Sequence, residues 1–339
     1  MNSSNILEIR KSIVLKNQWF PIYLSSKLKK KPQKIIFCNK DIVLYRDYYR
    51  NAIGLDNTCP HRGASLSNGK VVDDDIICPY HGWAFNKKGM LENVPSNSDG
   101  ERLPKCKLSM YNIKEHSGFI WLFNGDEPDN FSIPSYNSEE ILSSKWMNTY
   151  GEMKMDTSYH KIVENGIDCS HVNWVHTNSF GQSMNTKVYD YKIENSLPVS
   201  AEATLKLHHK AANIIAKITE LPIVDIQMKF VAPTTSFTKF TLKYNVSFVT
   251  MVSVCPETID TCNVFWCFMR NFGDFPIFNS AFEEYTRFEM ENTLKEDKNI
   301  VENLYDIPDF INVKSDGLQY MYNINLLNNF KKQNFDYII

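Results

Sequence analysis

Two short segments constrain this 339-residue chain more than anything else in it: Cys59-Pro60-His61 and, after sixteen intervening residues, Cys78-Pro79-Tyr80-His81-Gly82-Trp83. Each joins one thiol to one imidazole. Each is framed by residues that break regular structure, Pro60 and Gly63 in the first, Pro79 and Gly82 in the second. Both therefore read as tight loops. The surrounding stretch supplies a frame for them. From about residue 17 to 124 the chain is a run of short apolar segments cut by turns. IIFCNKDIVLYRD predicts two strands around Asn39-Lys40-Asp41, and GFIWLFNGDEP a strand running into a turn at Gly125-Asp126-Glu127-Pro128. The expectation is an antiparallel β domain over residues 17–125 with the Cys/His pairs at its loop tips.

Four ligands of two kinds suit two irons bridged by two sulfides, the thiolates on one iron and the imidazoles on the other. On formal charge, two ferric ions, two sulfides and two thiolates sum to about zero, against about minus two for a four-cysteine cluster. The mixed site therefore accepts an electron more readily. This is the ligand pattern of a Rieske [2Fe–2S] cluster, with Cys59, His61, Cys78 and His81 as its ligands. Structural zinc is the competing reading. It usually takes Cys-x(2–4)-Cys and His-x(3–5)-His pairs, whereas each half here mixes the two residue types. CPHRGASLSNGKV and CPYHGWAF resemble the two cluster loops of the Rieske non-haem iron oxygenases.

The length leaves room for two domains. Hydrophobic residues make up 43% and charged residues 22%, an ordinary globular composition, and a net charge of −2 gives no pull towards nucleic acid. Eight cysteines are sparsely spaced, and two of them are needed as thiolates, which favours a reducing, cytoplasmic setting over a disulfide scaffold. MNSSNILEIRKSIV lacks the core of a cleavable signal. No apolar run approaches a membrane span; residues 248–255 read as a strand. After a linker at about 126–144, residues 146–155 alternate like a strand and 159–175 are largely helical. Strand-like runs follow between Lys187 and Arg270, and helix returns after Pro276. The fold class expected is α+β: the antiparallel β Rieske domain, then a helix-flanked antiparallel-sheet catalytic domain over 126–339.

Of the eight histidines, His171 and His176 in ENGIDCSHVNWVH are the candidates for a second metal. Five residues on a regular helix turn through ~500°, leaving the side chains ~140° apart. A break around 172–174 would aim both at one ion. Asp168, three residues before His171, is expected on the same helix face. A third, carboxylate ligand has many candidates in the late helix: Glu283, Glu284, Glu289, Glu291, Glu296, Asp297 and Glu302. Their chemistry alone does not choose among them. His208 and His209 lie on a strand-like segment and point to opposite faces, so at most one lines a cavity. Cys255, Cys262 and Cys267 read as packed free thiols. Lys27, Lys29, Lys30, Lys31 and Lys34, with Arg62, Lys87 and Lys88, form either a solvated face or a docking surface for an acidic electron donor.

Asn165-x-x-Asp168-x-x-His171-x(4)-His176 resembles the Rieske oxygenase iron-site signature position by position. The run from Lys295 to Glu302 resembles the late-helix EDxxI(V)xE pattern of that family, in which the Asp is the ligand. The resemblance implies that His171, His176 and Asp297 hold a mononuclear Fe(II) as a 2-His-1-carboxylate triad, with Glu296 as runner-up. It implies that Asp168 bridges His81 of one subunit to His171 of the next in a head-to-tail homotrimer. Asn165 would border the active site, a helix-capping or buried-amide role being its alternative. The chain is similar to the homotrimeric branch that contains vanillate and dicamba O-demethylases and pheophorbide a oxygenases. Membrane helices and the extra Cys-x-x-Cys of plastid relatives are not in the sequence, so a pigment-membrane role is not expected. The function implied is that of a terminal oxygenase. It uses O2 and electrons from a separate reductase or ferredoxin to hydroxylate or oxidatively demethylate a small organic, aromatic or polycyclic substrate. No glycine-rich dinucleotide fingerprint is present for an internal reductase. cis-Dihydroxylation is the alternative within this class, and a non-catalytic Rieske electron carrier the alternative outside it.

Overall fold

The computed structural model describes residues 14–136, 146–177, 185–208, 223–242, 244, 246–273, 279–307 and 310–332. It divides into two compact units, Lys16–Ile133 and one drawn from the rest of the chain.

In the first unit, β1 (Trp19–Leu24), β2 (Gln33–Phe37), β3 (Lys40–Arg46), β4 (Ala52–Asp56), β9 (Met110–His116) and β10 (Phe119–Phe123) form an antiparallel sheet in the order β1-β10-β9-β4-β3-β2. A smaller sheet joins β5 (Lys70–Val72), β6 (Asp75–Ile77), β7 (Ala84–Phe85) and β8 (Leu91–Asn93) in sequence order. The β2–β3 turn differs from the sequence expectation: it is Cys38-Asn39, with φ of 49° and 61°. Two consecutive left-handed residues match the twist of the flanking strands, so Lys40 and Asp41 already belong to β3. Tyr45, Leu55, Leu66, Ile76 and Phe85 pack around Cys59 and Cys78 in one buried cluster. The two Cys/His loops thus stand on a closed apolar base.

The second unit is a seven-stranded antiparallel sheet of β11 (Met147–Met155), β12 (Val188–Leu197), β13 (Ser200–His208), β14 (Ile223–Val231), β15 (Thr235–Thr241), β16 (Ser247–Pro256) and β17 (Cys262–Arg270), ordered β11-β17-β16-β15-β14-β13-β12. Among the described residues four α-helices accompany it: α1 (Tyr159–Gly166), α2 (Val172–Val175), α3 (Asn279–Val301) and α4 (Gly317–Lys332). α1 packs on β15 and β16, α3 on β11 and α1, and α4 on β12 and β13. Period-two burial explains the sheet. Ala201, Ala203, Leu205 and Leu207 on β13, and Val224, Ile226, Met228 and Phe230 on β14, are the inward alternates. The register aligns Met228, Thr238, Thr250 and Phe268 in one row across four strands, with Phe240 and Phe248 in the next row on the same face.

The segment read as largely helical from 159 to 175 is two helices with a break at 167–171. Ile167 N–H still closes on Val163 O (3.2 Å), ending α1. Then Asp168 Oδ1 accepts from the backbone N–H groups of Ser170 (2.7 Å) and His171 (3.4 Å). A short acidic side chain that captures the following N–H groups competes with helix continuation. No helix among the described residues is long and apolar enough to cross a membrane.

Candidate metal centres

The two Cys/His loops share one backbone design. Cys59 N–H donates to Ala64 O (2.8 Å) while Cys59 O accepts from Gly63 N–H (2.9 Å). Cys78 N–H donates to Trp83 O (2.8 Å) while Cys78 O accepts from Gly82 N–H (3.1 Å). Each loop closes four and five residues past its cysteine, turning through a glycine at φ 75° or 74°, where a side chain would be strained. Within this common frame the histidines are offset by one position, second after Cys59 and third after Cys78. Their rings meet edge-on, 4.6 Å between centroids. His61 stacks on Trp83 (4.4 Å, 5° between planes) and His81 on Tyr80 (3.8 Å).

The sulfurs lie inside and the imidazoles outside: Cys59 and Cys78 are buried, His61 half-buried and His81 exposed. His61 Nδ1 is buried with no hydrogen-bond partner among the described residues, which a bound metal ion would satisfy. Burial pushes the Cys59 thiol up to about 11. The backbone N–H groups of His61 and Arg62 pull it back and the neighbouring Cys78 thiol adds to the rise. Bound iron would reverse that balance, because a coordinated thiol is deprotonated outright. Two buried sulfurs, two outward imidazoles and an orphaned ring nitrogen fit a mixed-ligand cluster.

In the second unit, His171 and His176 are the N- and C-terminal caps of the single-turn helix α2. Their Nε2 atoms are 3.2 Å apart, and Asp297 Oδ1 lies 3.4 Å from each. These three are the set of His, Cys, Asp and Glu donors that converges within 4.8 Å among the described residues. The convergence is achieved differently from the sequence expectation. The break precedes His171, and residues 172–174 are helical. His176 has left the helix (φ −90°, ψ 33°), so the ~140° separation of a continuous helix does not apply. Asp168 does not share a helix face with His171. It occupies the break, with Oδ2 3.9 Å from His171 Nδ1.

Register on α3 sorts the acids that sequence chemistry left open. Asp297 points at the two Nε2 atoms. Glu296, one residue earlier, reaches the far side of the same ring, Oε2 3.0 Å from His176 Nδ1. Glu302 accepts the N–H of Asp156 (2.6 Å), and Glu283 pairs with Arg287 (3.1 Å). Asn165 Nδ2 donates to Asp297 Oδ1 (3.3 Å), tying α1 to the carboxylate.

Charges in this site are strongly coupled. Burial alone would lower His171, but the Asp297 carboxylate, with Asp168, outweighs it and the shift is upward. Burial prevails at His176, which is lowered with the help of His171 against Asp297 and Glu296. Burial would raise Asp297, yet His171, His176 and Asn165 hold it below the usual carboxylate range. A buried carboxylate that stays ionised beside two imidazoles fits the 2-His-1-carboxylate donor set of non-haem iron, with positions left for other ligands.

A cavity of about 210 Å³ opens beside this triad. Its floor is the face of β15, β16 and β17 carrying Thr238, Thr250, Phe240, Phe248 and Phe268. The three phenylalanines form a continuous stack: Phe240–Phe248 at 4.6 Å and 15°, Phe248–Phe268 at 5.2 Å and 23°. Sequence reasoning did not single them out, although the alternation in FTKFT and NVSFV marks Phe240 and Phe248 as sheet-face residues. His208 does not line this cavity; its Nε2 lies 3.3 Å from Tyr189 Oη. His209 lies outside the described residues. Cys255, Cys262 and Cys267 are buried thiols that form no disulfide. Lys34 pairs with Asp41 (2.7 Å), and Lys87 with Asp74 (2.9 Å) and Asp47 (3.5 Å), so part of the lysine-rich face is tied to its own acids.

Residues 18–112 match the Rieske [2Fe-2S] domain, and residues 155–322 match the vanillate O-demethylase oxygenase C-terminal domain. The chain is similar to a vanillate O-demethylase oxygenase subunit from Pseudomonas sp. (strain HR199 / DSM 7063), 31% identical over 49% of this chain and 46% of the relative. It is also similar to cholesterol 7-desaturase nvd from Hemicentrotus pulcherrimus, 32% identical over 47% of this chain and 35% of the relative. The matched regions span about half, or less, of these relatives' lengths. The crystal structure of dicamba monooxygenase bound to dicamba superposes with a TM-score of 0.81 at 20% identity, covering 94% of this chain and 98% of that one. That likeness establishes the fold. A Rieske [2Fe–2S] cluster and a mononuclear iron are the cofactors of these two domain families, and His171, His176 and Asp297 are a converging donor set among the described residues. With one domain family matched over each unit, in the order that places a cluster before an oxygenase domain, the chain belongs to the Rieske non-haem iron oxygenases, a family of oxidoreductases.

Proposed function

We propose that this chain is a terminal oxygenase that inserts one atom of dioxygen into a small organic substrate, by hydroxylation or oxidative demethylation. Residues 17–125 would hold the cluster through Cys59, His61, Cys78 and His81. Residues 126–339 would hold the iron through His171, His176 and Asp297. The observation that carries the reading is the convergence of His171 Nε2, His176 Nε2 and Asp297 Oδ1 at the wall of a largely apolar cavity. When bound, the cluster supplies single electrons and the iron binds and activates dioxygen.

The chain's own residues divide the remaining work. The stack of Phe240, Phe248 and Phe268 gives a flat apolar surface, which suits an aromatic or polycyclic ring. Thr238 Oγ1 donates to Gly166 O and Thr250 Oγ1 to Thr238 O, both at 3.4 Å. Their hydrogens are thus engaged, and what they offer a substrate is acceptor lone pairs. Asp168 holds the His171 side of the site through backbone N–H groups while leaving Oδ2 near the ring. Trp174 on α2 is 64% exposed. A large exposed aromatic beside the iron site supports burial by a neighbouring copy, as a head-to-tail homotrimer would provide. Electrons would come from a separate reductase or ferredoxin. The free thiols favour a cytoplasmic setting.

The test is turnover with a surrogate reductase in 18O2, across a panel of neutral and anionic arenes, aryl methyl ethers and fused-ring compounds, read by mass spectrometry. One labelled atom in product, or formaldehyde released from a methyl ether, is the expected result. Two labelled atoms would convert the assignment to dihydroxylation. Reduction of the cluster without any substrate-dependent oxygen uptake would overturn it.

A further inference from the structure

We infer that Glu296 is a positioning residue that sets the tautomer of His176, so that adjacent residues of α3 serve the two opposite nitrogens of one imidazole. The inference rests on the reading of His176 as an iron ligand. Glu296 Oε2 lies 3.0 Å from His176 Nδ1, while Asp297 Oδ1 lies 3.4 Å from His176 Nε2. Helical neighbours are turned ~100° apart. His176 stands at the point where two such side chains reach around the ring from either side.

The chemistry follows from hydrogen counts. A neutral imidazole has one N–H and one lone pair, and only the nitrogen with the lone pair can bind a metal. A carboxylate accepts hydrogen bonds and does not donate. Glu296 therefore keeps the proton on Nδ1 and leaves the Nε2 lone pair facing Asp297 and His171. His176 is 2% exposed, so water offers little competition for Nδ1. Without Glu296, the alternative tautomer would place the hydrogen on Nε2, where Asp297 Oδ1 would accept it and occupy the metal position with a proton. The carboxylate also adds negative charge behind the ring, making the imidazole a stronger donor.

His171 is served differently. Its Nδ1 is buried without a hydrogen-bond partner among the described residues, and Asp168 Oδ2 is 3.9 Å away, beyond hydrogen-bond length. The two ligands are thus unequally supported: Glu296 is within bonding distance of His176 Nδ1, and Asp168 is not within that distance of His171 Nδ1. This assigns to Glu296 a task different from direct ligation, although it is the acid next to Asp297 in sequence.

The experiment compares the full chain with Glu296→Gln and Glu296→Ala. Each protein is purified with its cluster, stripped of mononuclear iron and titrated anaerobically with Fe(II) by equilibrium dialysis. The visible cluster spectrum serves as an internal control for folding. The nitric oxide adduct of the loaded iron, read by electron paramagnetic resonance, reports ligand geometry independently of turnover. Loss of this partner should weaken Fe(II) binding by roughly 10–100-fold in the alanine variant. The glutamine variant, which can still accept from Nδ1 but lacks the charge, should recover part of that loss, and the resonance should shift in both. Equal Fe(II) affinity and an unchanged resonance in all three proteins would overturn the inference. Failure of the unsubstituted chain to bind Fe(II) at all would instead defeat the triad itself, so the two failures are distinguishable.

Discussion

Gly166 links the packing of the second unit to its metal site, and replacing it tests that link. Gly166 is the last residue of α1, and an alanine Cβ there would lie 2.5 Å from Ser236 Oγ and 3.4 Å from Ser236 Cβ. Ser236 is buried in β15, which is bonded to a strand on either side, so its backbone cannot retreat. Either the hydroxyl swings away or α1 lifts. Overpacking of this kind costs about 1–3 kcal/mol. The helix advantage of alanine over glycine offsets at most about 1 kcal/mol of that, and less at a helix end. The expected net loss for Gly166→Ala is about 1–2 kcal/mol. A lifted α1 also moves Asn165 away from Asp297, so iron occupancy should fall with stability. Ser236→Ala removes the clashing oxygen and leaves the next atom at 3.4 Å, an ordinary contact. The double variant should therefore regain most of the loss, a coupling of about 1 kcal/mol. The assay is urea unfolding of the four full-length proteins by circular dichroism, alongside metal analysis. Strictly additive effects of the two substitutions would refute the proposed contact.

Asp297→Ala should keep the visible cluster spectrum but lose mononuclear iron and product; retained turnover, measured by mass spectrometry, would remove Asp297 from the triad. Gly82→Val forces a β-branched residue to φ near 74°, with its Cβ 3.0 Å from Pro95 Cγ, so cluster content by iron and sulfide analysis should fall by more than half. Gly63→Asn, at φ 75° with nothing within 4 Å, uses a residue that tolerates the left-handed region and should retain its cluster; equal loss in both would show that the space around Gly82 is not what matters. Reduction of the cluster by a ferredoxin-type donor should slow as ionic strength rises towards ~300 mM, where screening is strong. A flat rate would remove the charged-docking reading, which the internal pairing of Lys34 and Lys87 already narrows.

Some of this architecture was legible in the sequence because it is local. Pro60, Gly63, Pro79 and Gly82 define both loops with no help from distant residues, and period-two alternation marks the strands. The break between α1 and α2 comes earlier than residues 172–174 because neither reading of Asp168, as an acid on a helix face or as a bridge between subunits, includes a local capping role. Its side chain captures the N–H groups of Ser170 and His171 and ends the helix there. The choice between Glu296 and Asp297 was not legible from chemistry, since both are carboxylates on one helix. It depends on how α3 is rotated against α1 and the caps of α2, which is a matter of tertiary packing. The phenylalanine stack was half visible. Alternation shows that Phe240 and Phe248 share a face, but that this face meets the metal site depends on where α1 and α3 lie.

Metal counting tests the account most directly. Purified anaerobically and reconstituted with Fe(II), the chain should hold about three irons, two with inorganic sulfide and one without. The same preparation of His171→Ala should hold about two with its sulfide unchanged. Two irons in both proteins, with the cluster spectrum complete, would contradict a second iron centre and leave an electron carrier in its place.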